Sequence, residues 1–129
     1  MVAVDTNVLV RLVTNDNAAQ AARAAAIFSA GPVFIAKSVL LEAEWVLRFG
    51  YELRTASILR ALRAVLGLDN VAVEDPVTVV AALRLLEHGV DFGDALHVVC
   101  SNKAARFVTF DSRLVKRTQG ATAVPVVFA

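Results

Sequence analysis

The chain has 129 residues, 57% hydrophobic and 19% charged, which fits one domain with a large core and excludes disorder. Thirteen Lys and Arg against twelve Asp and Glu leave a formal charge of +1, without the basic excess common in nucleic-acid binders. No apolar run reaches the roughly 18 residues that span a bilayer, so no membrane role is expected. The opening MVAVDTN is acidic by position 5 and is not expected to be a signal peptide. A single cysteine, Cys100, allows no internal disulfide and fits a cytoplasmic protein.

Ala and Val number 23 and 22, a bias that suits strands covered by Ala-rich helices. In chain order, residues 2–4 read as a strand that runs into Asp5-Thr6-Asn7. An Ala-rich helix is predicted over 18–28, then a strand at 33–35. A helix over 39–49 stops at Gly50, and another over 55–66 aligns Ile58, Leu59, Leu62, Val65 and Leu66 on one stripe. Residues 71–73 form a short strand, and Pro76 opens a helix to His88 that Gly89 closes. A helix over 92–105 places Cys100 as a small core residue, and Trp45 is expected in the core or at an interface. Strands at 107–110, leading into Asp111-Ser112, and at 124–128 complete the pattern. Alternating strands and helices predict an α/β fold: one domain over 1–129, with a roughly five-stranded, mainly parallel sheet between two layers of helices.

In such a sheet, sites form beyond the carboxyl ends of the strands. Asp5 and Asp111 stand at two of those ends, and each reads either as a helix cap or as a ligand. Glu42 and Glu44 interrupt an apolar helix; about 200° apart around it, they cannot both face one site, and one is expected to be a solvated surface charge. Asp91 and Asp94 bracket a helix start, again as cap and first-turn acid or as ligands sharing one face. Asp5, one of the glutamates, Asp94 and Asp111 come from four separate elements. If they converge, they repel one another unless a cation neutralises them, and an oxygen-only donor set suits Mg²⁺ or Mn²⁺. Such ions hydrolyse phosphodiesters.

Other chemistries lack their residues. There is no Gly-x-Gly-x-x-Gly, Walker loop or Gly-x-Ser-x-Gly elbow. Two histidines, His88 and His97, with one cysteine do not make a structural zinc site, and His97 is expected to pack or hydrogen-bond. A phosphatase using an Asp after its first strand needs a second Asp two positions on, where this chain has Asn7.

Four stretches, VAVDTNVLVRL, SVLLEAEWVLR, DFGDALH and FVTFD, occur in an order and at separations that resemble the PIN-domain ribonucleases, especially VapC-type toxins of bacterial toxin–antitoxin pairs. The resemblance covers the chain almost end to end. It implies a catalytic, metal-binding quartet of Asp5, Glu42, Asp94 and Asp111, with Thr6 and Asn7 supporting the first acid and Asp91 as an accessory. It also implies Mg²⁺ or Mn²⁺ as cofactor, RNA (tRNA or rRNA) as substrate, a cognate antitoxin and a homodimer. The Arg-bearing helix at 54–66 would suit a partner surface. The rival readings are a PIN-like scaffold that binds RNA or protein without cleaving, and a small-molecule phosphatase, which Asn7 disfavours.

Overall fold

In a computed structural model that describes residues 1–129, each β-branched run becomes a short strand and every strand pairing is parallel. The chain divides into two compact units, residues 1–76 and 77–129. The expected α/β class is present; the five strands, however, pair as a three-stranded and a two-stranded ladder.

In the first unit, β1 (Val2–Ala3), β2 (Val33–Ile35) and β3 (Val71–Val73) lie in the order β1-β2-β3. Val33 pairs with Val2 on one side and Val71 on the other. As the middle strand, β2 shows the two-residue alternation of a pleat, with Val33 and Ile35 fully buried. Helices α1 (Thr6–Val13) and α2 (Ala18–Ala30) connect β1 to β2. Asn17 caps α2 by accepting from the Gln20 N–H at 3.0 Å. Between β2 and β3 run α3 (Lys37–Trp45), a π-helical turn (Val46–Gly50) and α4 (Thr55–Leu66). Ala36 gives α3 no side-chain cap; Glu74, just past β3, supplies one by accepting from the Lys37 N–H at 2.9 Å. On α4 the predicted stripe is realised: Ile58, Leu59, Leu62 and Val65 are buried, while Arg54, Arg60 and Arg63 are exposed.

The helix expected over 39–49 changes to π geometry at Val46, where the Tyr51 N–H reaches back five residues to the Val46 carbonyl. Trp45 is not in the core: it is 60% exposed and leans on Phe49, with ring centroids 5.4 Å apart.

In the second unit, β4 (Phe107–Thr109) and β5 (Val126–Phe128) flank α7 (Ser112–Thr118) and follow α5 (Pro76–Glu87) and α6 (Phe92–Val99). Pro125 has no N–H to give a ladder, which delays β5 to Val126. α6 ends six residues before the predicted limit. Ser101 donates its hydroxyl to the His97 carbonyl at 2.7 Å, and a side chain that bonds the backbone in this way weakens the last turn. Cys100 therefore sits at the helix end and is exposed, which corrects its placement as a core residue.

The junction of α5 and α6 is a Schellman motif. The Gly89 N–H bonds the Leu86 carbonyl and the Val90 N–H bonds the Leu85 carbonyl, both at 3.0 Å, with Val90 buried. Gly89 takes φ +90°, and a Cβ there would meet nothing within 4 Å. The requirement for glycine is thus conformational, not steric. Gly89→Ala should cost about 1–2 kcal/mol, the range for an L-residue forced into left-handed backbone, and Gly89→Asn distinctly less. Denaturant unfolding of the three proteins checks this; an alanine variant as stable as the parent would contradict it.

Candidate active site

At the end of β1, Asp5 caps α1: its Oδ1 accepts from the Val8 N–H at 3.1 Å. The next residue, Thr6, is buried and donates its hydroxyl to Glu42 Oε1 on α3. Thr6 thus fixes the glutamate, while Asp5 and Asn7 stay exposed. Two residues on, Glu44 points elsewhere. It is 4% exposed, and its Oε2 accepts from Arg48 Nε at 2.8 Å and Nη2 at 2.7 Å. Arg48 Nη2 also donates to Thr55 Oγ1 at 3.1 Å, tying the π turn to the start of α4. The two glutamates meet different partners, as their separation around the helix predicts: Glu42 is the exposed acid expected of one of them, and Glu44 is the buried half of an ion pair.

A cavity of about 320 Å³ lies between α1 and α2, lined by Asp5, Asn7, Val8 and Arg11 and by Gln20, Arg23, Ala24 and Ile27. Sequence reasoning took 18–28 only as an Ala-rich helix and missed these residues. Their spacing was the available signal, since positions 20, 23, 24 and 27 share one helical face. Arg11 is immobilised beside the cavity, with Nη1 on Asp16 Oδ1 at 3.0 Å and on the Tyr51 hydroxyl at 2.7 Å, and Nε on Gln20 Oε1 at 2.6 Å. The Tyr51 hydroxyl donates to Asp16 Oδ2 at 2.7 Å and is the main reason the Asp16 carboxyl lies below its ordinary range; Arg11 and Thr14 add to the effect against a desolvation cost.

In the second unit the Schellman turn delivers the chain to Asp91, which caps α6 by accepting from the Asp94 N–H at 3.1 Å through Oδ2. From α7, Arg117 steadies that turn by donating to the Gly89 carbonyl at 2.7 Å. Beyond β4, Asp111 caps α7: Oδ1 accepts from the N–H groups of Arg113 at 2.9 Å and Leu114 at 3.2 Å. Asp94 lies half-buried in the first turn of α6. Desolvation raises its pKa above the ordinary carboxylate value, the charges of Asp91 and Asp111 raise it further, and His97 opposes them. His97 is exposed and acts on Asp94 through charge; it is not packed in the core.

The structure thus links Glu42 to the residue after Asp5 in one unit, and in the other places Asp91 and Asp111 where their charges help raise the pKa of Asp94. Neither unit holds a cluster of three or more His, Cys, Asp or Glu side chains close enough to grip a metal. The donor chemistry nevertheless suits a hard cation. Each capping Asp commits one oxygen to the backbone and keeps the other, Glu42 keeps Oε2, and no Lys or Arg pairs with any of these acids.

The sequence profile of the PIN domain family matches residues 2–120. No curated protein gives a significant match.

The folded-state pKa of Asp94 lies above its unfolded value of 3.8, so between the two the folded chain holds more protons. Its contribution to stability therefore falls as pH rises through that window, and Asp94→Asn removes the loss. In chelator at neutral pH the variant should be at least as stable as the parent, with the difference closing below pH 4 in denaturant curves; a variant less stable at pH 7 would contradict the assignment. For Glu44, Arg48→Met should cost roughly 2–4 kcal/mol by leaving a buried carboxylate uncompensated, and adding Glu44→Leu should recover most of it. A double-mutant cycle with no coupling would refute this.

Proposed function

The chain belongs to the PIN domain family, whose members are nuclease-type domains, and we propose that it is a metal-dependent endoribonuclease acting as the toxin of a toxin–antitoxin pair. The observation that carries this reading is the crowding of Asp94 by Asp91 and Asp111 with no Lys or Arg paired to any of them. Such crowding opposes folding, and a bound cation relieves it.

Asp5, Glu42 and Asp94 would hold Mg²⁺ or Mn²⁺ and Asp111 a second or weaker ion, with Thr6, Asn7 and Asp91 in support. When bound, the ion supplies charge neutralisation at the attacked phosphate and an acidified water. The chain's own residues do the positioning. Thr6 holds one oxygen of Glu42 and so presents the other. Asp5, Asp91 and Asp111 are locked by their capping bonds, which fixes their rotamers before any ligand arrives. Asn7, exposed beside Asp5, is available to orient substrate. In this reading the substrate is tRNA or rRNA in the cytoplasm, and the protein is a homodimer held inactive by a small antitoxin. The exposed Arg54, Arg60 and Arg63 on α4 favour a partner surface there.

The test combines binding with cleavage. Millimolar Mn²⁺ or Mg²⁺ should raise the melting temperature, by an amount equivalent to about 2.7 kcal/mol at 100 times Kd. Glu42→Gln should lower RNA cleavage by about 100-fold or more, a loss at least as large as that of an outer-shell partner. No metal-dependent shift and no cleavage by the folded parent would leave the non-catalytic scaffold as the better account.

A further inference from the structure

We propose that the cavity between α1 and α2 seats one nucleotide of a single RNA strand beside the cleavage site, with Arg23 as its phosphate contact; this rests on the ribonuclease reading of Asp5. Three observations within the first unit carry it. Asp5 and Asn7 line the cavity, so whatever fills it lies against the residues assigned to the reaction. The two arginines in its wall differ. Arg11 is spent on Asp16, Tyr51 and Gln20, whereas Arg23 is exposed and makes no ion pair or hydrogen bond. An unpaired guanidinium in a cavity wall is a fork for phosphate oxygens. The remaining wall is mixed in the way a nucleotide requires. Val8, Ala24 and Ile27 offer an apolar surface to a base, and Asn7 offers a side-chain amide to base edges or a ribose hydroxyl. Gln20 accepts from Arg11 through Oε1 and so keeps its amide N–H groups for the same use.

Size decides between occupants. About 320 Å³ is at the small end of ligand sites, which run from roughly 300 to 1,000 Å³. Two turns of a partner helix, about 10 Å wide and 11 Å long, need roughly twice that volume or more. The cavity is therefore of a size for one small ligand such as a nucleotide.

The experiment measures a labelled single-stranded oligoribonucleotide twice: by fluorescence anisotropy in chelator across a salt series, and by steady-state cleavage in Mn²⁺. Arg23→Gln should weaken binding about tenfold at low salt and lower the salt slope by about 0.7, the share of one phosphate on a single strand. In cleavage, KM should rise by a similar factor with kcat within about twofold. Arg84→Gln, on the exposed face of α5, should change none of these. Unaltered affinity, slope and KM in Arg23→Gln, with the parent cleaving RNA, would overturn the nucleotide seat and leave the ribonuclease intact. Arg23-dependent binding without cleavage would support the seat and overturn the ribonuclease. Equal weakening by Arg84→Gln, or Arg23-dependent binding of a Glu-rich peptide in place of the RNA, would overturn the seat.

Discussion

Helix capping sets the position of the acids in both units, because each short strand or tight turn hands the chain to a helix whose first N–H groups lack partners. Asp5, Asp91 and Asp111 all answer that need, each with one oxygen. The other oxygen is then held at a fixed place by a bond made for structural reasons. Cap and ligand are therefore compatible roles for one residue. Asp94 is different: it caps nothing, and it stands in the first turn of the helix that Asp91 caps. The favourable dipole interaction there, about 0.3–1 kcal/mol in general, is outweighed by desolvation and two like charges, which is why its pKa rises.

Glu44 shows what the same fold does with a carboxylate it keeps inside. Arg48 gives that group two donors on one oxygen and links it onward to Thr55, so its charge is matched where it is buried. Asp5, Glu42, Asp91 and Asp111 receive backbone N–H or hydroxyl donors and no side-chain cation, and Asp94 has no cation partner either. Glu44 is balanced inside the fold, whereas these acids have no internal counter-charge. Under the proposed function that division is the difference between a structural carboxylate and a catalytic set.

Much of this was legible in the sequence. The α4 stripe and the short strands follow from periodicity and β-branched runs, and Gly89 marks its helix end because left-handed backbone favours glycine. The PIN likeness was legible because the motifs span most of the chain. What failed was decided by tertiary partners. Nothing local to residues 39–49 announces a π turn, and an apolar flank gave no sign that Glu44 would turn inward to Arg48 while Trp45 turned out. Ser101 shortened α6 by a side-chain bond that a hydrophobic pattern does not register, and Cys100 moved from core to surface with it. The cavity was missed for a related reason. Arg23 looks like any solvated arginine on an Ala-rich helix until α1 is laid beside it.

Net charge was the least informative quantity of all. A total of +1 argued against a polyanion partner, yet the total hides how the cations are spent. Arg11 is neutralised by Asp16, Arg48 by Glu44, and Arg117 serves a backbone carbonyl. Their charges are committed to the fold, as are the acids that match the first two. A ligand meets the remainder. In the first unit that remainder includes an exposed carboxylate and an unpaired guanidinium in one cavity wall. A cation on the carboxylate would make that wall positive throughout. Such a local field acts on a phosphodiester whatever the net charge, because screening at physiological salt weakens exposed charges beyond about 8 Å.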